Sequence, residues 1–398
     1  MHCVRKVTDD LTWVGASDRR LALFENIHPI PEGVSYNSYV LMDQQTVLFD
    51  AADWSVGPQF LENVAFVLGD RPLDVMVINH MEPDHAATLG ELILRYPDVK
   101  IICTAKAAMF MQQYEFDTAD RVDIVKEGDT RCFGKHTVTF VIAPMVHWPE
   151  VMVTYDVTDG ILFSADAFGS FKALDGKLFN DEVDYDRNWI DENRRYYTNI
   201  VGKYGPQVQK LLGKASGLDI KMICPVHGLI WRSDFAYLLD KYQKWSTYEP
   251  EEQAVMVAYA SMYGHTESAA NIIAQKLVER GVTNVVMYDV SKTDKSQLIS
   301  ETFRVSHVIL ASVTYNLGIF PPMHDFLMDM KALNLQNRTV ALIENGTWAC
   351  KVGALMRKEL ESMKKMNVLE ADVTMTSTLK NETEMDALAD TIAADMKK

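Results

Sequence analysis

From residue 254 to the end, the sequence alternates between short apolar runs and amphipathic stretches, and few folds accept that rhythm. Runs at 254–260, 284–290, 306–311, 339–343 and 368–373 have strand length. Helical spacing fills the intervals 266–280, 296–303, 323–332 and 351–366. The last segment, 382–398, places Met385, Leu388, Ala389, Ile392, Ala393 and Met396 on one face, with Asn381 as N-cap and Glu384 completing a capping box. Strands alternating with helices predict a doubly wound parallel sheet with right-handed crossovers.

The first half has a different pattern. Strands are expected at 11–15, 38–42, 46–49, 75–79, 100–103, 137–142, 152–156, 161–164 and 221–225, with Asp159-Gly160 as a hairpin turn. Helices are expected at 86–96, 105–113, around 191–212 and at 234–244. The charged stretch 181–195 reads as a solvated face. Polar, proline-bearing 246–253 reads as a linker, giving domains 1–248 and 249–398.

Composition narrows the class. Lys and Arg total 39 against 55 Asp and Glu, a net charge of −16, which argues against nucleic acid as a partner. No apolar run is long enough to span a bilayer and the N-terminus has no signal-peptide core, so a cytoplasmic protein without membrane contact is expected. Cys3, Cys103, Cys132, Cys224 and Cys350 are scattered and form no Cys-x-x-Cys pair. That excludes a disulfide framework, a zinc ribbon and a cysteine-bound iron centre.

The densest chemical signal is His80-Met81-Glu82-Pro83-Asp84-His85, directly after the strand at 75–79. Four ligand-type side chains in six residues can converge on one point, since Pro83 breaks regular structure. His147, Asp166 and His227 each follow a later predicted strand, and strand ends of one sheet can meet in space. Seven groups exceed the three or four of a mononuclear zinc site and argue for two metals. Four imidazoles and three carboxylates without thiolate suit iron or manganese as well as zinc. Two divalent ions, three carboxylates and a bridging hydroxide sum to zero charge, as a buried polar site requires.

His80, Glu82, Asp84, His85, His147, Asp166 and His227 together resemble the metallo-β-lactamase fold pattern, an αββα sandwich. Zinc hydrolases of that fold have His where this chain has Glu82. A Glu there, followed by a flavodoxin-like domain, resembles the flavodiiron proteins (A-type flavoproteins). The resemblance implies that His80, Glu82 and His147 bind one non-haem iron and Asp84, His85 and His227 the other, with Asp166 bridging. His28, Tyr196 and Tyr197 are weighed as neighbours of the metals but not assigned.

In the second half, Ser261-Met262-Tyr263-Gly264-His265-Thr266 joins a strand to a helix. Its backbone N–H groups, its hydroxyls and the helix dipole suit a phosphate. No Gly-x-Gly-x-x-Gly or P-loop lysine is present, which argues against a dinucleotide or ATP. Two more loops, bearing Thr314, Tyr315, Asn316 and Gly318, and Asn345, Gly346 and Trp348, follow the third and fourth strands. They resemble the flavodoxin FMN site, with Tyr315 and Trp348 offering aromatic surface for the flavin ring.

The combined expectation is an FMN-dependent di-iron reductase of O2 to water, NO to N2O, or both. The first reaction takes four electrons, two from the irons and two from reduced FMN. The second takes two per pair of NO. The resemblance implies a head-to-tail homodimer or a dimer of dimers. It also implies an external electron donor, rubredoxin being typical and F420 possible. The competing readings are a zinc hydrolase with a flavodoxin-like appendage and an electron carrier with an inert metal domain.

Overall fold

The computed structural model describes residues 1–380 and 382–397, so the expected N-cap Asn381 and the terminal Lys398 lie outside the described residues. The chain divides into two compact units, Met1–Asp240 and Lys241–Lys398.

The first unit holds two sheets. One runs Arg5–Lys6, Leu11–Trp13, Tyr39–Met42, Thr46–Phe49, Val75–Val77, Lys100–Cys103, Val122–Ile124. Its first strands are antiparallel; short turns join Arg5–Lys6 to Leu11–Trp13 and Tyr39–Met42 to Thr46–Phe49, while the segment 14–38 lies between the two pairs. From Thr46–Phe49 onward it is parallel, with helices Gly57–Leu68, Leu89–Arg95 and Ala105–Gln113 as crossovers. The second runs Thr130–Cys132, Thr137–Ile142, Met152–Asp156, Ile161–Phe163, Met222–Cys224. Gly160 sits at φ +72° in the hairpin expected at Asp159-Gly160, a conformation glycine adopts without strain. The sheets share one core: Phe49 and Phe163 stack with ring centroids 3.8 Å apart, among buried Val47, Val75, Phe140, Met152 and Cys224. This is the αββα sandwich expected from the resemblance. Segments 78–85, 143–151, 164–170 and 225–228 leave the C-terminal ends of four of these strands, and they carry the chemistry.

The second unit is a parallel sheet ordered Val285–Asp289, Glu252–Ala260, Val305–Tyr315, Arg338–Asn345, then Met366–Val368 and Val373–Met375. Side chains alternate between two cores. Met256 and Ala258 pack on one face, and Val255 and Val257 on the other. Helices cover both faces, the flavodoxin-like order of strands.

Several expectations change. The strand expected at 368–373 is two short strands flanking that interval. Helix 351–366 ends at Glu361, and helix 191–212 is interrupted by a π-turn at Tyr197–Val201. Helix Gly57–Leu68 was not anticipated. The charged stretch is only partly solvated: Arg194 and Arg195 are buried, each paired with a carboxylate three residues back, and Arg195 lies over the Phe171 ring.

The interval expected as a linker is structured. Helix Phe235–Thr247 runs into it and Glu252–Ala260 begins within it. Tyr248 is in the core of the second unit. The Glu251 carboxylate is buried against Lys241 Nζ and Trp245 Nε1, both at 2.6 Å. Fully buried Arg338 donates to the carbonyls of Thr302, Phe303, Gln336, Asn337 and Tyr248, the last at 2.7 Å.

Candidate metal and flavin sites

The seven expected ligands meet in two groups around one carboxylate. His80 Nε2 lies 3.0 Å from Asp166 Oδ2 and 3.2 Å from Glu82 Oε2. His147 Nε2 lies 2.9 Å from Glu82 Oε2 and 3.5 Å from Asp166 Oδ2. Asp84 Oδ2 is 3.2 Å from both His85 Nε2 and His227 Nε2, which stand 3.4 and 3.8 Å from Asp166 Oδ1. One oxygen of Asp166 thus faces His80, Glu82 and His147, and the other faces Asp84, His85 and His227. Bonds of about 2.1 Å to a tetrahedral or octahedral ion put neighbouring ligand atoms roughly 3.0–3.5 Å apart, as found here. The three-atom and four-atom groupings each converge within 4.8 Å.

The donor atoms fit metal better than they fit one another. Both oxygens of Asp84, both nitrogens of His85, Asp166 Oδ2 and His227 Nε2 are buried without a hydrogen bond among the described residues. Such orphaned groups are costly and need an explanation. The cluster also demands positive charge. Burial disfavours a charge on His85, yet Asp84 and Asp166 lift its pKa to about 10. Burial likewise opposes charge on Glu82, yet His147 and His80 hold it down at about 2.

The chain positions these groups firmly. Asp50, buried at a strand end, accepts from Asn79 N (2.7 Å), Asn79 Nδ2 (2.8 Å) and His80 N (3.3 Å), which fixes the exit of Val75–Val77. Glu82 stands at the N-cap of the short helix Pro83–Ala86, whose turn brings Asp84 and His85 into the same group. His227 Nδ1 bonds the Ser35 carbonyl at 2.6 Å. The Tyr196 hydroxyl donates to Asp166 Oδ1 at 2.8 Å, fully buried, so this unassigned candidate touches the carboxylate that stands between the two groups. Glu25, on the Leu23–Phe24/His28–Pro29 hairpin, has its carboxyl pushed up to about 9 by burial and by the nearby carboxylate of Glu82.

Sequence reasoning missed Glu150. Its Oε1 sits 2.7 Å from His80 Nδ1 and 3.0 Å from Met81 N, and the residue is 1% exposed. The available signal was an acidic residue opening the buried strand Met152–Asp156, three positions after His147. With Glu150 the carboxylates number four, so two divalent ions would balance them without a hydroxide.

The flavin loops are less uniform. A cavity of about 250 Å³ is lined by Ser261, Met262, Tyr263, His265, Thr266, Thr314, Asn345, Gly346 and Trp348 from the expected set. Tyr315, Asn316 and Gly318 do not line it. Asn316 and Leu317, at φ +50° and +62°, instead make the tight turn that pairs Thr314–Tyr315 with Gly318–Ile319. Thr314 Oγ1 accepts from the N–H groups of Lys351 and Val352 at the start of helix Val352–Glu361. Ser377, which the sequence reading missed, also lines the cavity. Its N–H donates to Asn345 Oδ1 at 3.0 Å. Gly264 has φ +91° with open space where a Cβ would stand, at the start of the fifteen-residue helix His265–Glu279. Gly346 is needed for another reason: a Cβ there would meet the Ala349 carbonyl at 2.1 Å. Trp348 is 77% exposed, an open aromatic face beside the cavity. A helix start suited to a phosphate, a cavity at three strand-end loops and the exposed Trp348 ring fit FMN.

A model of the ODP family of β-lactamases matches residues 34–228, and a flavodoxin model matches 257–389. The anaerobic nitric oxide reductase flavorubredoxin of Klebsiella pneumoniae is 32% identical over 350 residues, 86% of this chain and 72% of that protein. Its counterpart from Aeromonas salmonicida is 33% identical over 348 residues, 86% of this chain and 66% of that protein. The chain thus spans about two thirds of the length of these relatives. Among solved structures, rubredoxin oxygen:oxidoreductase from Desulfovibrio gigas superposes with a TM-score of 0.91 at 29% identity, covering 99% of both chains. The flavodiiron protein of Giardia intestinalis matches with a TM-score of 0.91 at 27% identity, covering 99% of this chain and 96% of that one. A lactamase-like metal unit followed by a flavodoxin-like unit defines a two-cofactor oxidoreductase class. The chain belongs to the flavodiiron protein family. Among the described residues no helix is long and apolar enough to cross a membrane.

Proposed function

We propose that this chain is an FMN-dependent di-iron reductase of O2 and NO, working in the cytoplasm as a head-to-tail homodimer. The observation that carries the reading is the pair of groups on the two oxygens of Asp166, with buried donor atoms that find no hydrogen bond among the described residues. Within it, 1–248 carries the metal ligands His80, Glu82, Asp84, His85, His147, Asp166 and His227. The FMN is held by 249–398, through Ser261–Thr266 around its phosphate and through the loops at Thr314–Gly318 and Asn345–Trp348. Held by those residues, two irons would supply Lewis-acid and redox chemistry for a diatomic gas, and FMN would supply electrons.

The residues do the rest. Asp166 fixes the separation of the two metal positions, and Tyr196 holds Asp166 in place. Glu25 offers a protonated carboxyl beside Glu82, on the hairpin above the cluster. Trp348 gives the ring a flat apolar support. The names of the relatives support both gases, since one group is named for nitric oxide and another for oxygen. They also support a rubredoxin-type donor. The zinc-hydrolase alternative loses ground on Glu82, which occupies a position where that class has His. Metal and flavin analysis of protein purified without added metal tests the reading, followed by anaerobic turnover with each gas. Two irons and one FMN with consumption of either gas support it. Two zincs, or full reduction without consumption of either gas, sink it.

A further inference from the structure

We propose that Glu150 makes the two metal positions unequal, so that the ion held by His80, Glu82 and His147 binds first and more tightly than the ion held by Asp84, His85 and His227. The inference rests on the di-iron reading above and concerns the residues behind its ligands.

Each ligand imidazole has a second nitrogen, and what that nitrogen meets sets how strongly the first one donates. His80 Nδ1 donates to a carboxylate, Glu150 Oε1, at 2.7 Å. His227 Nδ1 donates to a neutral carbonyl, that of Ser35, at 2.6 Å. His85 Nδ1 is buried and has no hydrogen bond among the described residues. A carboxylate partner makes an imidazole more basic, a carbonyl does so less, and an absent partner does not. The donors thus descend in strength from His80 to His227 to His85.

Charge runs the same way. One position faces Glu82, one oxygen of Asp166 and, through His80, Glu150. The other faces Asp84 and the second oxygen of Asp166; the Asp50 carboxylate also lies near His85, but it is taken up by Asn79 and the His80 N–H. Glu150 is 1% exposed, so water does little to screen it. It cannot swing away, because Met81 N–H also donates to Oε1 and the Glu150 carbonyl accepts from Thr104 Oγ1 at 2.9 Å. Its other oxygen, Oε2, has no hydrogen bond among the described residues, so the charge is concentrated toward His80.

Glu150 is a positioning residue, and Glu150→Gln separates its charge from its geometry. The amide oxygen still accepts from His80 and Met81, but the negative charge is gone. The experiment is an anaerobic titration of the metal-free full chain with Fe(II), read by absorption and by iron retained after desalting. Wild type is expected to fill in two steps, the first at least about tenfold tighter. Glu150→Gln is expected to weaken the first step by about 10- to 100-fold and leave the second in place. His227→Ala is expected to keep the tight step and lose the weak one, and His147→Ala the reverse. A Glu150→Gln titration that superposes on wild type overturns the proposal, as does loss of the tight step in His227→Ala. A folded wild-type chain that takes up no Fe(II) overturns the di-iron reading itself. Two irons bound with equal affinity overturn only the inequality.

Discussion

The choice of metal turns on single side chains. Glu82 supplies a hard oxygen where the zinc hydrolases of this fold supply an imidazole, and its Oε2 stands between His80 and His147. Glu82→His is expected to shift retained metal from iron toward zinc and to abolish gas reduction, because a softer nitrogen-rich set favours zinc. Elemental analysis of the variant beside wild type checks this. The seven ligands were legible because they are crowded or follow strand ends. Glu150 was not, since it meets the cluster through tertiary packing; Tyr196 was weighed as a neighbour of the metals, and packing puts its hydroxyl on Asp166. Nothing in His147-Trp148-Pro149-Glu150 says that the carboxylate turns back onto His80, 70 residues earlier.

At the scale of elements, strands were read best where β-branched or aliphatic residues run uninterrupted: Thr46–Phe49, Lys100–Cys103, Thr137–Ile142 and Met152–Asp156 are found as expected. The fifth strand of the second unit was misplaced because Leu369-Glu370-Ala371-Asp372 lies between its two pieces, outside the ladder. Displacing it hid Ser377, which follows the second piece and reaches the cavity. The start of helix His265–Glu279 depends on Gly264 at φ +91°. Gly264→Ala costs about 1–2 kcal/mol in that conformation. FMN affinity is therefore expected to fall roughly tenfold, read by quenching of flavin fluorescence. A second element-level device joins the two sheets of the sandwich. His136, at the head of Thr137–Ile142, lies 2.7 Å from Asp156 Oδ2 and 2.9 Å from Asp10 Oδ2. Burial alone would lower its pKa, but the hydrogen bonds to Asp10 and Asp156 prevail and raise it. A raised histidine stabilises the fold fully below its unfolded value of about 6.5, and that stability is lost as pH rises through the folded value. Urea unfolding of wild type is thus expected to weaken as pH rises above about 6.5, and His136→Gln to remove most of that slope.

For the whole molecule, the head-to-tail arrangement has a direct test in mixed dimers. A His147→Ala chain keeps its FMN loops, and a chain crippled at Gly264 and Thr266 keeps its metal ligands. If each flavin serves the partner's irons, co-folding the two inactive chains in equal amounts restores about a quarter of wild-type activity, because half the dimers are mixed and each has one complete pair. If flavin and iron are paired within one chain, the mixture stays inactive. Turnover of the co-purified, doubly tagged dimer decides between them.

The stitched segment at 246–253 bears on how such a protein can be taken apart and reassembled. Tyr248 in the core, Glu251 clasped by Lys241 and Trp245, and the Tyr248 carbonyl held by Arg338 make this stretch the foundation of the flavodoxin-like unit. A gene fusion that starts this unit at its first strand, Glu252–Ala260, would remove Tyr248 and Glu251 and leave Arg338 without one of its acceptors. A portable flavin module must carry the end of helix Phe235–Thr247 with it, so the seam for exchange between proteins lies inside a helix.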